Sequence, residues 1–160
     1  MDHTRNIRNA ELGNGVRLND FINLYECKVG NNTKIGTFVE VQKNAVIGND
    51  CKISSHSFIC EGVQIGNGVF IGHNVSFIND RYPAALNKDK SIKTENDWTL
   101  EKTIVEDYAS IGTGATIMCG GHIGKRALIG AGSLVLHDIP DDAIAAGNPA
   151  KIIRIKENER

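Results

Sequence analysis

The stretch IGNDCKISSHSFICEGVQIGNGVFIGHNVSFINDRYP, Ile47 to Pro83, places an aliphatic or aromatic residue at every sixth position: Ile47, Ile53, Ile59, Ile65, Ile71 and Phe77, after which the register breaks. Upstream the same step passes through Val41, Ile35 and Val29, and Leu24, Leu18 and Leu12 continue it with one residue missing before Val29. Downstream it resumes at Val105 and runs through Ile111, Ile117, Ile123, Ile129 and Val135. Four residues after each aliphatic stands a small or β-branched residue, among them Thr33, Val39, Ala45, Cys51, Ser57, Ala109, Ala115 and Ser133. The position directly after the aliphatic is often glycine, as at Gly30, Gly36, Gly48, Gly66 and Gly72.

A period of six excludes an amphipathic helix, because at ~100° per residue each return drifts by about 120° and no apolar face forms. A short fixed repeat instead marks a solenoid. Each hexad reads as one short strand plus a turn, with the aliphatic inside, the small residue at the corner and glycine relaxing the backbone there. Three hexads close a triangular coil of about 18 residues, so residues 18 apart stack at about 4.8 Å, the spacing of strands in a sheet.

Composition sets the outer bounds. The chain has 160 residues, 41% hydrophobic and 23% charged, with a formal net charge of -1. That is the balance of one domain, 1–160, with a sizeable core and no reason to seek nucleic acid or a membrane surface. The N-terminus, MDHTRNIRNAEL, lacks the apolar run of a signal peptide, so a cytoplasmic protein is expected. Cys27, Cys51, Cys60 and Cys119 form no CxxC pair and read as reduced thiols. The coils are expected over about 12–82 and 105–139, a loop over 79–103 and a C-terminal segment over 140–160.

Stacking by 18 brings chemistry-bearing residues together. Two positions after the aliphatic, Lys43, Glu61 and Asn79 form one outward column. Cys119 and His137 extend it if the coil continues in register beyond the loop. Outward positions of a solenoid are also polar simply because they face water. The loop, NDRYPAALNKDKSIKTENDWTLEKT, is highly charged and holds the single tryptophan, Trp98, as a loop anchor or a substrate contact. Loops of this length in compact domains are usually functional or disordered.

These hexads resemble the left-handed parallel β-helix of the hexapeptide-repeat acyltransferases, an all-β fold whose handedness is implied by the resemblance alone. IGAGSLVLHDIPDDAIAAGNPAKIIR, Ile129 to Arg154, resembles the C-terminal signature of acetyl-CoA-dependent members. FICEGVQIGNGVFIGHNVSFINDRYP, Phe58 to Pro83, resembles the members that acetylate an amino group on a nucleotide-linked sugar, notably the 3-amino sugars of surface polysaccharides. The resemblance implies a homotrimer with sites between subunits, the loop reaching the neighbouring subunit, and acetyl-CoA as co-substrate without a metal. It implies that Asn79 orients the acceptor amine and that Glu61 accepts its proton, directly or through water, unless the departing CoA thiolate does so. His56, Asp80, Arg81 and Tyr82 are the candidate substrate contacts. Thr113 and Ala131 would offer backbone groups to the pantetheine arm, Pro149 would flank the adenine, and Lys151 or Arg154 would meet the phosphates; Lys151 and Arg154 read equally well as a solvated tail.

One departure is informative. The sugar O-acetyltransferases of this family carry a histidine before the proline near the start of the loop, whereas FINDRYP has Arg81 and Tyr82 there. An alcohol acceptor needs such a base; an amine, partly neutral near pH 7, needs less help. N-acetylation of a dTDP- or UDP-linked amino sugar is therefore the expectation, with sugar O-acetylation or a non-catalytic scaffold as alternatives. A carbonic-anhydrase-like zinc site would need a histidine pair five apart, which His3, His56, His73, His122 and His137 do not provide.

Overall fold

The computed structural model describes residues 4–157, so His3 lies outside the described residues. The chain winds into a three-sided parallel β-helix. The first face stacks Arg5–Arg8, Ile22–Tyr25, Glu40–Val41, Phe58–Ile59, Ser76–Phe77, Thr116–Ile117 and Leu134–Val135. The second stacks Glu11–Leu12, Lys28–Val29, Val46–Ile47, Val63–Ile65, Thr103–Val105 and His122–Ile123. The third runs from Arg17–Leu18 through Lys34–Ile35, Lys52–Ile53, Phe70–Ile71, Ser110–Ile111 and Leu128–Ile129 to Ala143–Gly147. Ala150–Ile155 then folds back antiparallel along that last strand. Coiling therefore begins before residue 12 and reaches beyond 139, wider than the hexads alone indicate.

Register follows the repeat. Lys34 pairs with Lys52 and Ile35 with Ile53, 18 residues apart, whereas Asn23 pairs with Glu40, 17 apart, where one residue is missing after Leu24. Phe77 pairs with Ile117, 40 apart, a coil of 18 plus an excursion of 22. The repeat aliphatics from Leu24 to Val135 are at most 3% exposed. Burying each isoleucine contributes roughly 1.5–3 kcal/mol. Leu12, in a coil with no complete neighbour beneath it, is 39% exposed.

The corners differ from expectation in one respect. The left-handed backbone position is the third residue after the aliphatic, occupied by Asn32, Phe38, Asn44, Asp50, His56 and Asn74 at φ between 53° and 64°. Asparagine and aspartate tolerate this conformation best. The glycine directly after the aliphatic serves close approach instead: a Cβ on Gly48 would lie 2.5 Å from the Gly66 carbonyl oxygen of the next coil. The corner between the second and third faces is tied by a side-chain ladder. The backbone N–H groups of Asn14, Asn31, Asn49 and Asn67 donate to Oδ1 of Asn31, Asn49, Asn67 and Asp107 in turn, at 2.7–2.9 Å.

All four cysteines are free and buried. Burial pushes the Cys60 thiol up to about 12, so it stays protonated and unreactive at neutral pH.

The excursion has internal order. Leu86 bridges Ile92 in a small hairpin, and Glu95–Asp97 form a 3-10 turn in which Asp97 Oδ2 accepts from the N–H and hydroxyl of Thr94 at 2.7 and 2.8 Å. Its root is clamped by Arg81, whose Nε and Nη2 donate to Glu101 at 3.1 and 2.7 Å while Nη2 also donates to the Cys119 carbonyl at 2.8 Å. This hydrogen bond holds the Glu101 carboxyl below its ordinary range and raises Arg81.

Gly48→Ala should lower stability by roughly 1–3 kcal/mol through the forced coil separation, read as a fall in the thermal unfolding midpoint. Arg81→Ala should raise the rate of proteolysis within residues 82–100 several-fold while leaving that midpoint nearly unchanged. Because the Glu101 pKa is depressed, its contribution is complete above the ordinary carboxylate value of 4.5 and is lost as pH falls through the lower folded value. Pepsin cleavage of the loop should therefore accelerate below that range in the wild type, and Glu101→Gln should abolish the acceleration by being fast throughout.

Candidate functional site

The expected site residues separate onto two corners of the prism. At the first corner, between the first and second faces, the register that pairs Phe58 with Ser76, Ser76 with Thr116 and Thr116 with Leu134 carries forward to a column of Lys43, Glu61, Asn79, Cys119 and His137. Glu61 is half-buried and held on both oxygens: Asn44 Nδ2 donates to Oε1 at 3.0 Å and Lys43 Nζ lies 3.9 Å from Oε2. Lys43 also pairs with Glu95 of the loop at 2.7 Å, and that hydrogen bond raises its pKa. One lysine thus joins the column carboxylate to the loop, a link that no regular spacing announces.

The other loop-root residues go separate ways. Asn79 is half-buried within the column. Asp80 accepts from the Tyr82 N–H at 2.9 Å and lines an open cleft of about 550 Å³ with Pro83, Lys93, Glu95 and half-buried Trp98. The Arg81 guanidinium is engaged by Glu101 and Cys119, and Tyr82 is 81% exposed. Further along the column Arg81, Cys119, His137 and Asp138 border a second cleft. His137 also borders a smaller one with Lys151, so the C-terminal hairpin brings Lys151 to this corner. Pro149 follows a cis peptide bond at the hairpin turn, and Arg154 sits exposed opposite Ile144.

The third corner, between the third and first faces, holds Thr113, Ala131 and His56. Thr113 and Ala131 stack in one column with Thr37, Ser55 and His73. The carbonyl of Thr113 is used within the solenoid, accepting from Gly132 N–H at 2.8 Å. The N–H groups of Thr37, Ser55, His73, Thr113 and Ala131 donate to nothing among the described residues. The same is true of Asn79, Cys119 and His137 at the first corner. At the second corner the asparagine ladder takes up the equivalent amides from Asn14 to Asn67. The free groups for a ligand at Thr113 are therefore amide donors. His56 takes the left-handed position at φ 64°, and its ring stacks on Phe38 at 4.7 Å, which stacks on Phe21 at 5.3 Å. His73 is one column away, so the two histidines project differently.

Among the described residues no group of three His, Cys, Asp or Glu side chains is arranged to hold a metal ion, and no helix is long and apolar enough to cross a membrane.

Comparison with known proteins agrees with this architecture. The family profile described as bacterial transferase hexapeptide (six repeats) matches residues 26–61 and 44–79. The bifunctional protein GlmU of Clostridioides difficile is 32% identical over 165 residues, covering 92% of this chain and 32% of its own length. The chain thus spans about a third of that relative. Among solved structures, AntD, an N-acyltransferase from Bacillus cereus in complex with dTDP and coenzyme A, superimposes with a TM-score of 0.79 at 19% identity, covering 94% of this chain and 86% of that one. PerB from Caulobacter crescentus, in complex with CoA and GDP-perosamine, gives a TM-score of 0.62 at 21% identity over 92% of this chain and 57% of that one. At such identities the two structures share the fold. Repeat, register and family profile together make the chain a member of the bacterial transferase hexapeptide-repeat family.

Proposed function

We propose that the chain is an acetyl-CoA-dependent N-acetyltransferase acting on the amino group of a nucleotide-linked amino sugar of surface polysaccharide synthesis, in the cytoplasm. One observation carries this reading. The root of the loop offers a carboxylate held by an amide and an ammonium group, Glu61 with Asn44 and Lys43, beside Asn79, and no histidine stands between Ile78 and Pro83. Such a site suits an acceptor that needs orientation more than deprotonation. That AntD is seen with dTDP and coenzyme A, and PerB with CoA and GDP-perosamine, supports the same pair of substrates.

In this reading Asn79 orients the amine so that its lone pair attacks the thioester carbonyl. The tetrahedral oxyanion collapses with loss of CoA thiolate, and the amine proton leaves to Glu61, directly or through water, or to that thiolate. The free amides of Thr113 and Ala131 supply donors to the pantetheine arm, Pro149 flanks the adenine, and Lys151 and Arg154 meet the phosphates. His56, Asp80, Arg81 and Tyr82 remain the substrate-side candidates. The first and third corners are separated by a face of six residues, roughly 20 Å of chain at ~3.3 Å per residue. A second copy laying its third corner along the first corner of its neighbour completes the site, and three such contacts close a homotrimer.

Sugar O-acetylation is the second reading, favoured by His137, which stands two places beyond Asn79 in the column. The test is release of CoA thiol from acetyl-CoA, with mass spectrometry of the product, across dTDP- and UDP-linked 3-amino and 4-amino sugars and plain hexoses. Acetylation confined to one amino sugar is the expected result; reaction on hydroxyl acceptors alone overturns the proposal. Asn79→Ala should lower kcat by about 10² with the β-helix still folded. Unchanged turnover in that variant removes Asn79 from the mechanism.

A further inference from the structure

The third face carries a row of cations that no carboxylate among the described residues neutralises. Arg17 pairs in register with Lys34, and Lys34 with Lys52, so three positive side chains point outward from adjacent strands. Like charges directly opposite on neighbouring strands are destabilising. Several other cations are answered by carboxylates: Lys28 by Glu11, Lys43 by Glu95, Arg81 by Glu101 and Arg126 by Asp142. Among the described residues no carboxylate pairs with Arg17, Lys34 or Lys52.

The row runs into a cleft of about 230 Å³ lined by Lys34, Lys52, Ser54, Ser55, Phe70 and His73. Ser54 interrupts a column that is glycine at Gly36, Gly72, Gly112 and Gly130, with Asn19 and Ala146 at its two ends. It is only 7% exposed, and its hydroxyl has no hydrogen-bond partner among the described residues although it borders this cleft. The hydroxyl is reached from the cleft and is therefore open to an acceptor from outside the chain. The unpartnered N–H groups of Ser55 and His73 belong to the same rim. Lys52 Nζ lies 5.7 Å from the centroid of the Phe70 ring, which orients it along the face. The cleft therefore presents hydroxyl, amide and ammonium donors and no carboxylate.

We infer that this cleft, formed by Lys34, Lys52, Ser54 and the amides of Ser55 and His73, binds a diphosphate, that of the nucleotide on the acceptor. Two ammonium groups on strands about 4.8 Å apart suit adjacent phosphates better than a single carboxylate. The inference rests on the nucleotide-sugar reading for the identity of the ligand. Coenzyme A also carries a diphosphate, but the residues proposed for it begin at Thr113. Ser54 lies two coils below the Gly112 level, roughly 10 Å away at ~4.8 Å per coil, and the His73 amide one coil below Thr113, so the cleft sits at the end of that column away from Ala131.

The test is calorimetric titration of the full chain with dTDP, UDP and, separately, CoA. Three variants accompany the wild type: the double substitution Lys34→Gln/Lys52→Gln, its charge-preserving counterpart Lys34→Arg/Lys52→Arg, and Ser54→Gly, which restores the glycine of the column. Thermal unfolding controls for folding. The expected result is nucleoside diphosphate binding weakened at least tenfold in the Gln pair, a few-fold in Ser54→Gly and little in the Arg pair, with CoA affinity within twofold throughout. Absence of nucleoside diphosphate binding to the wild type, or equal affinity in the wild type and the Gln pair, overturns the site. Loss of CoA affinity instead assigns the cleft to the co-substrate and overturns its assignment to the acceptor. Failure of the catalytic reading looks different: diphosphate binding would keep this dependence on Lys34 and Lys52 while no amine is acetylated.

Discussion

The structure depends on the backbone hydrogen bond from one coil to the next, as from Gly48 N–H to the Ile65 carbonyl and from Gly66 N–H to the Val105 carbonyl, both at 2.8 Å. Repeated along three faces, these bonds hold successive coils at the strand spacing of about 4.8 Å. Side chains must then meet that spacing at every level. The interior accepts one aliphatic per hexad beside a small residue, and the position after the aliphatic excludes a Cβ wherever the next coil approaches as closely as Gly66 approaches Gly48. The hexad is therefore the sequence image of one distance.

That distance also decides where ligands can act. Two residues after each aliphatic, the turning chain leaves an amide N–H that the coil above cannot accept. At the second corner asparagine and aspartate side chains satisfy it level by level, from Asn14 to Asn67. At the first and third corners no continuous ladder runs among the described residues: Gln42 Oε1 accepts from Glu61 N–H at 3.3 Å, while the amides from Asn79 to His137 and from Thr37 to Ala131 have no acceptor there. Buried or crowded N–H groups are rarely left unpaired in a stable protein. One edge thus has its amides satisfied by side chains of the chain itself, while two edges present theirs outward.

The fold and the column of Lys43, Glu61 and Asn79 were legible because both are periodic. A residue's neighbours in a regular coil lie at fixed offsets, so counting is enough. Pairing of Lys43 with Glu95 and of Arg81 with Glu101 was not legible, because the excursion obeys no repeat and its geometry depends on where the chain happens to cross the corner. The roles of the glycines were misassigned for a related reason: a glycine needed for φ and one needed for close approach look identical in sequence, and only the neighbouring carbonyl distinguishes them. Ser54 was overlooked although its signal was present, since a polar residue interrupting a glycine column departs from the local rule, and departures of that kind concentrate at functional positions.

The same nearest-neighbour logic explains how a 22-residue excursion coexists with an intact core. Each coil is supported only by the coils above and below it, so the chain can leave between Phe77 and Thr103 provided it returns in register, and the pairing of Phe77 with Ile117 and of Val63 with Thr103 shows that it does. Loop closure entropy grows slowly with length, by about 0.6 kcal/mol per doubling, so a long excursion costs little more than a short one. What must be specified is the root, and here Arg81 joins Glu101 at the far end of the loop to the Cys119 carbonyl of the coil above. The loop can thus vary in sequence without disturbing the coils, while its root stays fixed to the coil above through Arg81. The residues of the excursion and those that hold the coils together are thereby largely separate sets, so one can change without the other.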